Sequence, residues 1–165
     1  MMNARKWIVV SIVVGALASQ AQAFAEELFP SNQLQLDAFG TYATRDRFGA
    51  SENHGGGGLG LDYFFWRYVG IGVDSYIEEW KCPYRVNGSG ILRFPLPEPL
   101  HHLAIYGFGG GGREFKYAAQ YTYHGGGGLE LKLNRHFGIF ADGREVFPDR
   151  TPNYTLVRAG VSFGF

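Results

Sequence analysis

The sequence predicts an all-β fold, an eight-stranded antiparallel up-and-down transmembrane β-barrel. Three observations predict it: strand periodicity at the C-terminus, a leader at the N-terminus, and eight segments of strand length. Residues 157–165 alternate strictly between apolar side chains and polar residues or glycine, so the chain ends inside a strand with one apolar face. A closed barrel pairs its last strand with its first and leaves no open edge there.

The N-terminal segment has the parts of a secretory signal peptide. Arg5 and Lys6 form a short basic region, residues 7–18 are almost uniformly apolar, and small residues follow. The apolar run is shorter than the roughly 20 residues that a membrane-spanning helix needs. We therefore predict a signal peptide over residues 1–25, cleaved after Ala23 or Ala25, and one barrel domain over residues 26–165.

Charge and cysteine content limit the function classes. Without residues 1–25 the chain loses two of its 15 basic residues and none of its 15 acidic ones, which leaves a net charge of −2. Nucleic-acid binding requires a basic excess, so we expect no nucleic-acid partner. Cys82 is the single cysteine, which excludes a disulfide within the chain, and we assign it no role.

The strand-sized segments are close to the 9–11 residues that a tilted strand needs to cross a bilayer. Leu34 and Leu36 alternate with polar residues in the first segment, and Leu129 and Leu131 do so in the sixth. The fifth segment is ambiguous, because residues 103–106 are all apolar or aromatic and do not show which of them face the lumen. The predicted strands are 33–43, 55–65, 68–79, 84–94, 102–112, 121–133, 136–146 and 154–165.

The connections between these segments alternate in length. Those at 65–67, 95–101 and 134–135 are short, whereas 44–54, 113–120 and 147–153 are mostly longer and polar. The link at 81–83 is an exception, since it is short where a loop is expected. Short turns of such barrels face the periplasm, so both termini are expected on the periplasmic side. Aromatic residues near the segment ends predict two interfacial girdles. The periplasmic girdle comprises Phe64, Phe65, Trp66, Tyr68, Phe94, Phe137, Phe163 and Phe165, and the outer one Tyr42, Tyr76, Trp80, Tyr84, Tyr121, Tyr123 and Tyr154.

The last eight residues carry a resemblance to a known family. Arg158, Gly160, Phe163 and Phe165 fit a pattern of polar residue, glycine, apolar residue and terminal aromatic. This pattern resembles the C-terminal assembly signal of Gram-negative outer-membrane barrels, and the chain looks like an eight-stranded barrel of the OmpA/OmpX type. The resemblance implies location in the cell outer membrane, contact with outer-membrane lipids, and recognition by the barrel assembly machinery.

Three runs of four glycines, at 55–58, 109–112 and 125–128, are expected at the extracellular ends of strands two, five and six. The first interpretation is that glycine permits tight curvature and bulges. A second is that walls without side chains leave a cleft near the outer rim for a lipid tail or a folded-in loop. A phosphate-binding loop is excluded, because no Gly-Lys-Ser/Thr ending follows any run.

Alternation also predicts which charged residues face the lumen. An eight-stranded barrel has an interior just wide enough for side chains to fill it, so its charges must be paired. We therefore predict a salt-bridged plug and no open pore. The predicted lumen set is Asp37, Asp62, Asp74, Arg85, Arg93, Glu130, Lys132, Asp142, Arg144 and Arg158.

Catalytic and metal sites are not predicted. Lipid A deacylase barrels use a His-any-Ser motif on the penultimate strand, and residues 140–147 contain neither residue type. Ser51 and His54 share a predicted loop with Glu52, which is a weak basis for a triad. His54 and His124 lie on opposite strands, too far apart for one metal ion. The periplasmic histidines, for which solvated turns are favoured over a metal site, are His101, His102 and His136.

We therefore expect a small outer-membrane barrel with a structural or surface-interaction role, no enzymatic activity and no cofactor. Its surface ligand or partner protein is unknown from the sequence. Two alternatives stay open: a lipid-modifying enzyme similar to lipid A acyl hydrolases, and a soluble lipocalin-like periplasmic binder. The lipocalin-like alternative requires apolar residues inside the barrel and polar residues outside, the reverse of the predicted assignment.

Overall fold

The computed structural model describes residues 28–47, 50–77, 84–115 and 119–165, with the side chains of 45–47 and 50–53 excepted. The predicted signal peptide, Trp80 and Cys82 lie outside the described residues. Within these ranges no helix has the length and apolar character needed to cross a membrane.

Eight strands form one closed barrel in which each strand pairs antiparallel with the next. The strands are β1 (Gln33–Arg47), β2 (Ala50–Trp66), β3 (Val69–Ile77), β4 (Tyr84–Pro95), β5 (Leu103–Glu114), β6 (Gln120–Lys132), β7 (Phe137–Pro148) and β8 (Tyr154–Gly164). Strand β8 closes the ring on β1, with pairs from Gln35 and Gly164 to Thr44 and Thr155. The predicted all-β, up-and-down barrel is confirmed.

We call the end that carries Gln33 and Gly164 the terminal end, and the end where β1 meets β2 the distal end. The first distal connection is much shorter than predicted, because the β1–β2 ladder continues to the pair Arg47 and Ala50. The polar run at 44–54 was expected to be a loop. Pairing needs only backbone groups, so polar side chains do not prevent strand extension beyond the apolar part of a barrel.

The barrel wall has a polar inner face and an apolar outer face. On β1, Leu34 and Leu36 are exposed, whereas Gln33 and Gln35 are buried. The ambiguous fifth segment follows the same rule, since Ala104 is buried and Ile105 is exposed on the outer face. Alternation along the ladder therefore sets which side chains enter the lumen.

Several predicted girdle aromatics lie elsewhere. Phe64, Tyr76 and Tyr154 are each 2% exposed and point into the lumen, so their assignment to the outer surface was wrong. Each lies one residue out of phase with the outward set of its strand, which proximity to a strand end does not reveal. Five further predicted girdle residues are exposed, and their role as membrane anchors stays a prediction; they are Trp66, Tyr68, Phe137, Tyr42 and Tyr123.

Two of the three glycine runs lie near the middle of their strands rather than at the outer ends, and for them this part of the prediction was wrong. Residues 55–58 and 125–128 fall near the middle of β2 and β6, and 109–112 fall in the distal half of β5. Inward glycines provide room for large neighbours. A Cβ at Gly126 would lie 2.1 Å from the Gly143 carbonyl oxygen and 2.9 Å from the Phe108 ring. Tight packing inside a narrow barrel therefore explains the inward half of these glycines.

Candidate functional site: the barrel lumen

The barrel places all ten charged residues of the predicted lumen set on its inner face. Eight of them are buried, and Asp37 and Asp62 are half-buried beside them. Antiparallel register brings these residues into three groups along the axis. We name them the terminal, central and distal clusters.

The terminal cluster is centred on Glu130 of β6. Lys132 Nζ lies 2.8 Å from Glu130 Oε1 and donates to Gln35 Oε1 at 2.9 Å. Ser162 Oγ donates to Glu130 Oε1 at 3.0 Å, and Arg93 Nη1 lies 3.7 Å from Glu130 Oε2. One carboxylate thus meets two cations.

A residue that the sequence analysis did not select packs at the terminal end. Phe29 precedes β1 and is fully buried. The Arg93 guanidinium lies 5.0 Å from the Phe29 ring centroid and 3.6 Å from the Phe64 ring centroid, as cation–π contacts require. No periodicity precedes β1, so an isolated aromatic there carries little signal in the sequence.

The central cluster links opposite walls of the barrel. Arg144 on β7 donates two hydrogen bonds to Asp74 on β3, at 3.2 and 2.8 Å. Arg158 on β8 donates two to Asp142 on β7, at 2.9 and 2.8 Å, and lies 3.4 Å from Asp74. Paired fork geometry of this kind gives the strongest protein ion pairs. Asn87 also donates to Asp74 at 2.9 Å, so its carboxylate has several donors.

The distal cluster contains an acid that sequence reasoning missed. Arg85 Nη2 lies 2.9 Å from Glu114 Oε2, and Gln120 Nε2 donates to the same oxygen at 2.7 Å. Arg85 also donates to the Tyr154 hydroxyl. Glu114 was assigned to a loop at 113–120. Extending the inward alternation two residues beyond Gly112 would have placed it in the lumen.

Aromatic rings fill the space around the central cluster. The Arg144 guanidinium lies 4.9 Å from the Phe108 ring centroid, and that of Arg158 lies 4.8 Å from Phe39. Phe39 packs edge-on against Phe140 at 6.2 Å. An internal cavity of ≈ 40 Å³ remains in this region. Such a volume holds on the order of one water molecule.

Two predicted lumen acids are not brought into ion pairs among the described side chains. Asp37 accepts a hydrogen bond from Gln35 Nε2 at 3.2 Å, and Asp62 lines the internal cavity. Arg93 Nη2 and Arg144 Nε are buried without a hydrogen-bond partner among the described residues, and both side chains line the same cavity. A water in this cavity has acceptors and donors available on its walls.

A serine–histidine contact occurs on the inner wall. Ser89 Oγ lies 2.8 Å from His124 Nε2, and His124 is 5% exposed. A catalytic triad needs an acid on the other ring nitrogen. His124 Nδ1 is buried and has no hydrogen-bond partner within the part of the chain that the structure describes. The contact therefore lacks the acid of a triad.

Three further histidines, His101, His102 and His136, lie in turns at the terminal end. His102 Nδ1 donates to the Lys132 carbonyl and His136 Nδ1 to that of Gly164, both at 2.9 Å. The His101 and His102 ring centroids are 4.3 Å apart. Across the described ranges no group of three or more histidine, cysteine or acidic residues could hold a metal ion.

Comparisons with known proteins identify the fold. No family model and no curated protein sequence matches the chain. Solved barrel structures do match. The N-terminal β-barrel domain of Pseudomonas aeruginosa OprF has a TM-score of 0.65 and 17% identity, over 82% of this chain and 98% of that one. Neisserial surface protein A has a TM-score of 0.66 and 13% identity, over 80% and 97% of the two chains.

A third similar structure is Ail, the attachment invasion locus protein of Yersinia pestis. Its TM-score is 0.59 and its identity 16%, over 82% of this chain and 99% of that one. These similarities extend over nearly the whole of each solved barrel. The chain therefore has the fold of the eight-stranded outer-membrane β-barrels, and the predicted resemblance is confirmed at the level of the fold.

Proposed function

We propose that the chain is a small outer-membrane barrel protein with a structural or surface-interaction role and a lumen filled by paired charges. The observation that carries the proposal is the central cluster, in which Arg144 and Asp74 join opposite walls and line a cavity of only ≈ 40 Å³. Continuous solvent passage would require these ion pairs to separate. Breaking buried pairs is costly, so a closed lumen is the stable state.

The outer face supports the membrane location. Large apolar side chains such as Leu61, Ile71 and Leu129 are exposed around the barrel. An apolar outer face and a polar interior are typical of outer-membrane barrels. The same arrangement opposes the lipocalin-like alternative, which needs the reverse. The proposal includes a signal peptide over residues 1–25, insertion by the barrel assembly machinery, and both termini in the periplasm.

A surface role is favoured over enzymatic activity. Two similar structures are described as a surface protein and as an attachment invasion locus protein, and this proposal extends that general role to the present chain. The lipid A acyl hydrolase alternative has weak support. Within residues 140–147, the side chains of Asp142, Arg144 and Val146 point inward and are buried in the lumen.

The decisive experiment compares location, compactness and conductance of the full chain. The outer-membrane fraction is run on a gel with and without boiling, because folded barrels keep a closed hydrogen-bond ladder until heated. We expect a heat-dependent shift in mobility, and no stepwise conductance when the purified protein enters a planar bilayer. A soluble protein without a shift would contradict the membrane location, whereas steady conductance would contradict the plugged lumen.

A further inference from the structure

The outer face of β4–β7 carries a contiguous surface without side chains. Its glycines follow one another across the ladder, since Gly90 pairs with Gly109, Gly109 with Gly125, and Gly127 with Gly143. We call this surface the glycine patch. Its members are Gly88, Gly90, Gly107, Gly109, Gly111, Gly125, Gly127 and Gly143.

Much of this patch could carry side chains without steric conflict. A Cβ at Gly143 would meet nothing within 4 Å, and the nearest atoms to Cβ positions at Gly88, Gly90 and Gly125 lie at 4.0, 4.0 and 3.9 Å. Inward glycines are needed for packing, but these outward ones are not. Glycine weakens a strand, and in strands it often marks a site where another backbone approaches closely.

Opposite charges stand on either side of the patch. Arg113 is exposed on β5 and pairs with Tyr121, whereas Glu145 is half-buried on β7 and pairs with Gly125. These are the charged side chains that the described part of the strands presents on the outer face. Because strands in such barrels tilt by about 35–45°, the two residues lie within about 4 Å in height on opposite flanks of β6.

We propose that the glycine patch is the interface of a symmetric dimer with a second copy of this chain. In a two-fold interface, residue i of one copy meets residue j of the other and the reverse. An axis normal to the membrane beside β6 brings Arg113 of each copy to Glu145 of the other. Small residues let backbones approach closely in lipid, as they do between transmembrane helices, and oppositely charged groups fix the register.

Tyr123 stands between the two charges and fits the same arrangement. It is 62% exposed on the outer face of β6, next to Gly111 on β5. Tyrosine beside a recess is a typical interface anchor. A smaller group of outward glycines at 40, 55 and 57 on β1 and β2 has no flanking pair of opposite charges among the described side chains.

The test measures association of the mature protein in lipid vesicles by energy transfer between copies labelled at the N-terminus. Gly143→Leu should weaken association at least about tenfold, the factor that 1.4 kcal/mol produces. Gly40→Leu is the matched control, because Cβ at Gly40 has neighbours only at 3.9 and 4.0 Å and lies outside the patch. Heat-dependent gel mobility verifies that both variants fold.

Charge variants test the register independently of packing. Arg113→Glu and Glu145→Arg should each weaken association, and the double variant should restore it to within about threefold, because the exchanged pair keeps its complementarity. A double variant as weak as either single one would overturn the proposal. The proposal would also be overturned if the wild-type chain were monomeric at every protein-to-lipid ratio. A lipid that stays bound in native mass spectrometry would then be the occupant of the patch instead of a second copy.

Discussion

Arg144 and Asp74 are joined by two parallel hydrogen bonds of 3.2 and 2.8 Å between β7 and β3, which lie on opposite sides of the barrel. Neighbouring strands are already held by the backbone ladder. This pair instead ties strands that share no backbone hydrogen bonds, so it resists flattening of the ring. Asp74 also accepts a hydrogen bond from Asn87 and lies 3.4 Å from Arg158, so it is the acid with the most polar contacts in the central cluster.

Asp74→Ala is expected to lower the free energy of unfolding by about 3–5 kcal/mol, because it leaves Arg144 as an uncompensated buried charge. Urea unfolding in detergent micelles measures the change. Asp149→Ala is the control, since that carboxylate is exposed just beyond the distal end of β7. The double variant Asp74→Ala/Arg144→Met should recover part of the loss. Equal stability of Asp74→Ala and the wild type would contradict a structural role for the pair.

Alanine substitutions at adjacent glycines of one run should differ sharply in their effect on folding. A Cβ at Gly110 would lie 1.9 Å from the Gly88 carbonyl oxygen, whereas one at Gly109 has its nearest atom at 3.7 Å. Gly110→Ala should therefore cost about 1–3 kcal/mol or prevent folding, as overpacking does. Gly109→Ala should be nearly neutral. The fraction of heat-modifiable protein after refolding measures both, and similar yields would show that the inner wall is not tightly packed.

The periodicity of two predicted most of this fold and the inner face of the barrel. Residues such as Asp142 and Arg158 were assigned to the lumen because a strand permits only two faces. Pairing between charges was less predictable. Asp62 and Asp37 face the lumen without an ion pair among the described side chains, whereas Glu114 beyond the assumed strand end has one. Register and strand length decide such partners, and local alternation does not encode them.

Phe29→Ala should destabilise the terminal end of the barrel. The ring is fully buried and contacts the Arg93 guanidinium, so its loss opens a cavity and removes a cation–π contact. We expect a loss of about 3–5 kcal/mol in the free energy of unfolding. Leu100→Ala is the control, because Leu100 is 54% exposed in the β4–β5 turn. An equal change in unfolding free energy for the two variants would mean that the Phe29 ring does not stabilise the terminal end of the barrel.

Phe165→Ala separates assembly in the cell from stability of the folded barrel. Phe165 is 62% exposed on the outer face, with its ring 4.7 Å from that of Phe163. Its backbone N–H donates to the Leu34 carbonyl, a bond that alanine preserves.

We expect Phe165→Ala to refold in detergent with unfolding free energy changed by less than about 1 kcal/mol, as is usual for exposed positions. The amount in the outer-membrane fraction should fall clearly, because the assembly machinery is expected to read the terminal aromatic. Phe137→Ala is the matched control, since this exposed ring also contacts Phe163 but lies outside the C-terminal octet. If both variants are equally abundant in the outer-membrane fraction, the octet is an ordinary strand end. An equal reduction would then reflect the loss of any exposed aromatic and not of the terminal one.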